Sequence, residues 1–213
     1  MITETHNRRK DKNQVAVKMK SWELRAKRAF DVSFSFIGLL ISSPVLILIY
    51  FVLKIHEGGQ VIYSQERIGL AGKPFKIYKF RTMHKNAENG TPMLAQKNDD
   101  RLTPLGRFLR EHHLDELPQL WNVLKGDMSF VGYRPERQFF IDQILEHDAR
   151  YVSLYQMRPG ITSDATIYNG YTDSMDKMLE RLSMDLNYLE TASFTGDIII
   201  ILKTCGIVAK GEK

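Results

Sequence analysis

The sequence predicts an α/β protein held at a lipid surface by a re-entrant helix. Three observations carry that expectation. Residues 32–53 run for 22 positions without a charge. Residues 60–83 alternate in the manner of a β-hairpin, and two later stretches repeat apolar residues at helical spacing. The chain, 213 residues long, has the length of one domain with appendages. Hydrophobic residues at 43% and charged residues at 26% allow a buried core and exclude compositional disorder. Thirty Lys and Arg against 25 Asp and Glu leave a net charge of +5 and a pI near 9.2. That balance suits an anionic partner: nucleic acid, nucleotide phosphates or an acidic lipid surface. The mean hydropathy of −0.28 excludes a multi-span membrane protein. A single cysteine, Cys205, excludes an internal disulfide and an all-cysteine metal site, and fits a reducing compartment.

Taken in order, residues 1–21 are polar, basic and without period, which predicts a solvated tail or a lipid-headgroup contact. Residues 22–54 hold the apolar helix. At about 1.5 Å per residue the 22 uncharged positions reach roughly 33 Å, just enough for a hydrocarbon core of about 30 Å. Its late start and the lack of a small-residue cleavage site exclude a removable signal peptide. A buried core helix is the other reading of such a run. Ser42-Ser43-Pro44 sits at its midpoint, where Pro44 donates no N–H and opposes the Leu40 carbonyl, so the helix should break there. The serine hydroxyls can satisfy the freed carbonyls. Residues 1–30 carry nine Lys and Arg against three acids, and residues 54–85 carry seven against two. The positive-inside tendency wants both flanks in the cytoplasm, which a spanning helix cannot satisfy and a re-entrant one can.

Residues 55–213 form the remaining domain. Val61-Ile62-Tyr63, a Gly69–Gly72 turn and Phe75–Arg81 predict a hairpin, with Lys79 and Arg81 on one strand face and Phe80 on the other. Residues 87–100 predict an irregular, mobile loop. Phe140, Ile141, Ile144 and Leu145 suit an amphipathic helix, as do Met175, Met178, Leu179, Leu182, Leu186 and Leu189. Asp197 could cap a helix at 198–202, although the β-branched run equally permits a strand. With Lys203 and Lys210 beside it, this tail could lie as an amphipathic helix on a membrane surface or pack into the core. Cys205, in the same apolar run, reads as packing.

The chemistry concentrates in residues 110–136, REHHLDELPQLWNVLKGDMSFVGYRPE. Pro118 suits the first turn of a helix, which puts Asp115 and Glu116 just ahead of a helix N-terminus. Adjacent carboxylates there can bind a divalent cation, supply a nucleophile, divide acid and base roles, or merely decorate the helix start. Arg110 before them, Arg134 after them, and Lys79 and Arg81 on one strand face supply cations. Together these are ingredients of a site for a metal-bound diphosphate. His112 and His113 lack the spacing and the third ligand of a zinc site. No glycine-rich nucleotide loop is present.

Seven motifs then make the reading specific. In order they are Lys27-Arg28-Ala29-Phe30-Asp31, Ser43-Pro44, Gln65-Glu66-Arg67-Ile68-Gly69, Lys79-Phe80-Arg81-Thr82-Met83, Leu114 to Leu120, Gly126-Asp127-Met128-Ser129, and Arg158-Pro159-Gly160-Ile161-Thr162. Over residues 22–204 the chain resembles the bacterial sugar transferase family, the small monotopic phosphoglycosyl transferases. The resemblance implies a cytoplasmic α/β catalytic domain seated on the bacterial inner membrane by a re-entrant helix. It implies transfer of a phosphosugar from a UDP-sugar to undecaprenyl phosphate, with Mg²⁺, as the first membrane step of surface glycan assembly. Asp115 matches the family's catalytic aspartate, which meets the metal and takes the phosphosugar covalently, and Glu116 matches its partner. Arg110 and Arg134 match residues placed at the substrate phosphates. Tyr133 stands where the family usually has proline, and Ser163-Asp164-Ala165-Thr166 departs from the commoner glycine-and-tryptophan version.

Two rival functions remain open to the residues: a metal-dependent phosphohydrolase acting on a lipid diphosphate, and a basic, membrane-tethered scaffold. Nucleic-acid binding is not expected, because aromatics are not interleaved with the basic residues.

Overall fold

The computed structural model of the chain describes residues 15–210, apart from 86, 88, 89, 91, 95, 97, 98 and 171. The predicted polar tail over residues 1–14, and part of the predicted 87–100 loop, lie outside the described residues. Residues 15–20 depart from a solvated tail. Met19 is buried, and the Lys18 N–H donates to the Leu189 carbonyl at 3.0 Å.

Helix α1 spans Ser21–His56. It starts cleanly because the Glu23 carboxylate accepts the Lys20 N–H at 3.0 Å. The break predicted at Ser43-Pro44 does not interrupt it: helical geometry continues through Pro44. The Ser43 hydroxyl donates to the Leu40 carbonyl at 2.8 Å, the acceptor that proline leaves without its N–H. Only 11% of the most apolar window of α1 is buried, so it is not a core helix. Leu40, Ile41, Leu48 and Ile55 are 63–77% exposed.

The opposite face of α1 is docked at both ends on one body. Near its start Lys27 is buried, donates to the Val131 carbonyl at 2.8 Å and pairs with Asp197. Arg28 donates to the Val123 and Leu124 carbonyls, and Asp31 accepts the Phe130 N–H. Near its end Ile49 and Leu53 pack with Val61, Phe80 and Leu109.

That body mixes helices with two small sheets. β1 (Ile62–Ile68) and β2 (Pro74–Phe80) form the predicted hairpin, in register from Ile62 opposite Phe80 to Ile68 opposite Pro74. α2 (Pro104–Glu111) and α3 (Gln119–Lys125) follow, then β3 (Ser129–Val131). After α4 (Gln138–His147) and a 3-10 segment at Ala149–Gln156, β4 (Gly160–Thr162) pairs parallel with β3. Gly132 and Gly160 face each other so closely that a Cβ on either would collide with the backbone of the other strand. The chain closes with α5 (Asp164–Tyr168), α6 (Met175–Thr191) and α7 (Phe194–Lys210).

α4 and α6 turn their apolar stripes inward. Ile141, Ile144, Met178, Leu182 and Leu189 join Val131 and Leu154 in the main core, so neither helix offers that stripe to a membrane surface. Residues 198–202 are helical. Ser193, not Asp197, caps α7, accepting the Gly196 N–H at 3.1 Å, while Asp197 serves the buried pair with Lys27 and accepts the Tyr188 hydroxyl. α7 keeps Ile199 and Leu202 exposed, and Cys205 is exposed where packing was expected.

Candidate active site

The acidic pair sits where α2 is forced to stop. Thr103 caps α2 by accepting the Gly106 N–H at 2.9 Å, and Pro104 follows at the tolerated first position. His113 adopts a left-handed φ of 54°, which ends the helical run and turns the chain into a 3-10 segment at Leu114–Glu116. Leu114 packs towards the cluster beneath α1, and Asp115 is left 5% exposed. α3 starts immediately afterwards, with Pro118 as its cap residue.

Asn122 fixes this turn against the hairpin. Its side chain donates to the Lys76 carbonyl at 2.7 Å and accepts the Tyr78 N–H at 3.1 Å, occupying the free edge of β2. Lys79 is thereby held beside the pair, with Nζ 2.5 Å from Glu116 Oε1. Arg134 reaches the same oxygen from the loop after β3, at 4.0 Å. Arg110 lies near Asp115 and donates from Nε to the Thr82 hydroxyl at 3.2 Å. Lys79, Arg110 and Arg134 therefore converge on the carboxylates as the sequence reading expects.

Arg81 does something else. It donates to the Gly58 carbonyl at 2.7 Å and faces Glu57, whose other oxygen accepts the Thr103 hydroxyl. It ties the end of α1 to the start of α2, and makes no hydrogen bond or ion pair with either member of the pair among the described residues. Beside it a cavity of about 940 Å³ is lined by Val52, His56, His84, Lys85 and Phe108. Neither Asp115 nor Glu116 lines this cavity.

The two carboxylates share a backbone turn and differ in environment. Burial alone would raise Glu116, yet Lys79 and Arg134 hold its carboxyl well below the usual range. Asp115 is pushed up, by burial first and by the adjacent Glu116 charge second. Among the described residues its carboxylate accepts no hydrogen bond and forms no ion pair within 4 Å. Glu116 is the fixed anion and Asp115 the available one. A buried carboxylate with no partner beside a second carboxylate suits Mg²⁺, which takes one or two protein carboxylates and completes its shell from substrate phosphates. The described residues hold no cluster of three or more protein metal ligands.

Sequence reasoning missed the residues behind Arg134. Glu136, buried, pairs with Arg181 of α6 at 2.6 Å and with Arg67 of β1 at 3.0 Å. Asp185, also buried, lies on α6 near Arg181 and Glu136. A signal existed: Arg181 and Asp185 stand at i, i+4 on the same stripe as Met178, Leu182 and Leu189, a position where a solvated helix carries no charge.

A small mixed domain is docked on an apolar helix long enough to cross a membrane, and it presents an acidic pair among cations. The profile of the family described as Bacterial sugar transferase matches residues 22–211. The chain belongs to that family. It is 39% identical over 180 residues to a UDP-glucose:undecaprenyl-phosphate glucose-1-phosphate transferase of Caulobacter vibrioides, covering 84% of this chain and 67% of that one. It is 35% identical over 185 residues to a UDP-N-acetylgalactosamine-undecaprenyl-phosphate N-acetylgalactosaminephosphotransferase of Aeromonas hydrophila, covering 87% and 44%. With the exopolysaccharide production protein ExoY of Rhizobium meliloti it shares 36% over 197 residues, covering 84% and 83%. The chain thus spans less than half the length of some of these relatives, such as that of Aeromonas hydrophila, and most of the length of others.

Proposed function

We propose that the protein transfers a phosphosugar from a UDP-sugar to undecaprenyl phosphate, as a first membrane step in surface glycan assembly. The relatives' names support the substrate classes, and the lone Asp115 carboxylate beside a Glu116 paired with Lys79 carries the mechanism. Asp115 attacks the phosphorus that bears the sugar. A bond forms from its carboxylate oxygen to phosphorus, the diphosphate bridge breaks, and UMP leaves with the bridging oxygen. An oxygen of the lipid phosphate then attacks the same phosphorus and releases the Asp115 carboxylate. Covalent capture lets one site serve a soluble donor and a lipid acceptor in turn. Lys79, Arg110 and Arg134 orient the phosphates and offset charge as the bridge breaks. Mg²⁺, when bound at Asp115 with the diphosphate, would supply neutralisation of the repulsion between carboxylate and substrate.

Two features support a bilayer-resident acceptor. An apolar groove of about 500 Å³, lined by Leu39, Leu46, Tyr50, Tyr78, Pro118 and Trp121, opens beside α1 two residues from Glu116 and suits part of an isoprenoid chain. α1 also meets the same body at both ends, which favours both flanks on the cytoplasmic face over a helix that leaves its domain to cross. Incubation with UDP-glucose or UDP-N-acetylgalactosamine alone should release one equivalent of UMP and leave a phosphosugar on the Asp115 peptide by mass spectrometry. Asp115→Asn should lose adduct and turnover. Continuous release of sugar phosphate without acceptor would identify a hydrolase. If UMP appears only when both substrates are present and no adduct forms, direct transfer replaces the covalent scheme.

A further inference from the structure

The cavity beside Arg81 holds neither carboxylate of the acidic pair and takes no part in the transfer scheme. It measures about 940 Å³ and lies where α1 ends, against the start of α2 and the residues just after β2. Its walls are of two kinds. Val52, Leu105 and Phe108 are apolar. Leu48, Val52 and His56 follow one another at one helical turn, so this wall continues the exposed apolar face of α1. Arg81, Lys85, His56 and His84 make the other wall one of cations and N–H donors. The cations gather on a single turn. Gly58 and Gly59 both adopt left-handed φ, 61° and 67°, which reverses the chain after α1. Lys54 donates to the Gly59 carbonyl at 3.2 Å. A Cβ on Gly59 would stand 3.3 Å from Lys85 Nζ and 3.4 Å from an Arg81 guanidinium nitrogen. Three positive side chains therefore meet around the space that glycine leaves open. Glu57 is the one acid among the described lining residues, and it is already engaged: one oxygen accepts the Thr103 hydroxyl and the other faces Arg81 at 3.5 Å. Arg81 is thereby offset, whereas Lys54 and Lys85 form no ion pair among the described residues. Like charges gathered without a counter-ion attract an anion.

We propose that this cavity binds the headgroup of an anionic phospholipid, with its phosphate against Lys54 and Lys85 and its acyl chains along Leu48 and Val52. The proposal rests on α1 lying in a bilayer and not on the transfer reaction. Charge and wall chemistry together select this occupant. A soluble anion would use the cations and leave the apolar wall idle; a lipid without net charge would use the wall and leave the lysines unmatched. A cavity of this size takes a phosphoglycerol headgroup with its first acyl carbons. The position also fits, because basic side chains at the end of an apolar helix stand at headgroup level. A lipid seated there would reinforce the seam between α1 and α2 that Arg81, Glu57 and Thr103 span.

The test uses the full chain, in nanodiscs of phosphatidylcholine with or without phosphatidylglycerol, and in detergent, where native mass spectrometry measures competition between the two lipids. Wild type should hold one phosphatidylglycerol at least ten-fold more tightly than phosphatidylcholine, since each lysine beside an anionic headgroup contributes roughly five-fold. It should also melt higher in the nanodiscs that contain phosphatidylglycerol. Lys54→Gln/Lys85→Gln should lose most of the lipid preference and the gain in Tm. Its Tm in phosphatidylcholine should match wild type, because both side chains are exposed. Lys73→Gln/Lys76→Gln removes the same charge from exposed positions of the hairpin and should keep both effects. A Lys54/Lys85 variant that still prefers phosphatidylglycerol overturns the proposal, and so does a hairpin control that loses the preference equally. Displacement of the bound lipid by millimolar inorganic phosphate or UDP would assign the cavity to a soluble anion, and displacement by equimolar undecaprenyl phosphate would assign it to the acceptor; either result overturns the proposal. A wild type that enters no nanodisc overturns the membrane residence of α1 instead, and the competition in detergent still reports on the cavity.

Discussion

Arg134 and Glu116 meet at 4.0 Å with both side chains partly exposed, and that distance suits exchange better than permanence. A donor phosphate can take the guanidinium without breaking a tight ion pair. Each charge-assisted hydrogen bond contributes about 1.5–3 kcal/mol, so Arg134→Ala should lower kcat/KM roughly ten- to hundred-fold per bond lost. Its side chain is partly exposed, so the Tm should stay near wild type. Arg134→Lys should restore little if the contact is bidentate, because an ammonium cannot form the planar fork. Glu116→Gln should leave Lys79 without its carboxylate and reduce turnover while UDP binding tightens, since two cations are freed for phosphate; weaker UDP binding would count against the pairing described. At this scale the sequence was legible where motifs concentrate chemistry within a few residues, as at Asp115 and Glu116. Alternation did not reveal that Arg81, whose N–H still donates to the Val61 carbonyl at 2.9 Å, would turn its side chain to Glu57 and the Gly58 carbonyl.

Among the elements, α1 carries two duties on two faces. Lys27, buried against Val131 and paired with Asp197, is the anchor of its first part. Asp197→Ala would leave a buried cation poorly compensated and should cost about 3–5 kcal/mol, read from urea denaturation in detergent. The same lysine counts as a cytoplasmic charge in a topology tally, yet its charge is spent inside the protein. The topology reading can be tested in a Cys205→Ser background with cysteines at Lys18 and Lys85, both exposed. Neither should react with an impermeant thiol reagent added outside intact cells, and reaction of one alone would establish a crossing helix. The short parallel pair is less forgiving. Gly160→Ala should prevent folding, because its methyl group would enter the Gly132 backbone. The hairpin, α4 and α6 were legible from periodicity; the parallel β3–β4 pair was not, since strands of three residues carry no repeat to detect. The buried Arg181 on α6 was hidden for a related reason: its partner, Glu136, lies 45 residues away.

For the molecule as a whole, the apolar helix and the mixed domain are not separable modules. A fragment beginning at Glu57 would expose Val61, Phe80 and Leu109 and leave Asp197 without Lys27, so it should express as aggregate, and a soluble, cooperatively melting fragment would contradict this account. Enzymes that reach a bilayer through a detachable anchor divide into two pools, one free and one bound, and regulation can act on the exchange between them. Given the membrane residence proposed above, this architecture would have no free pool. Release into water would either wet the row from Leu40 to Ile55 or pull Leu53 and Lys27 out of the interior. The amount of such a protein at the membrane is then governed by synthesis and proteolysis, and a cell that needs less of it must destroy it.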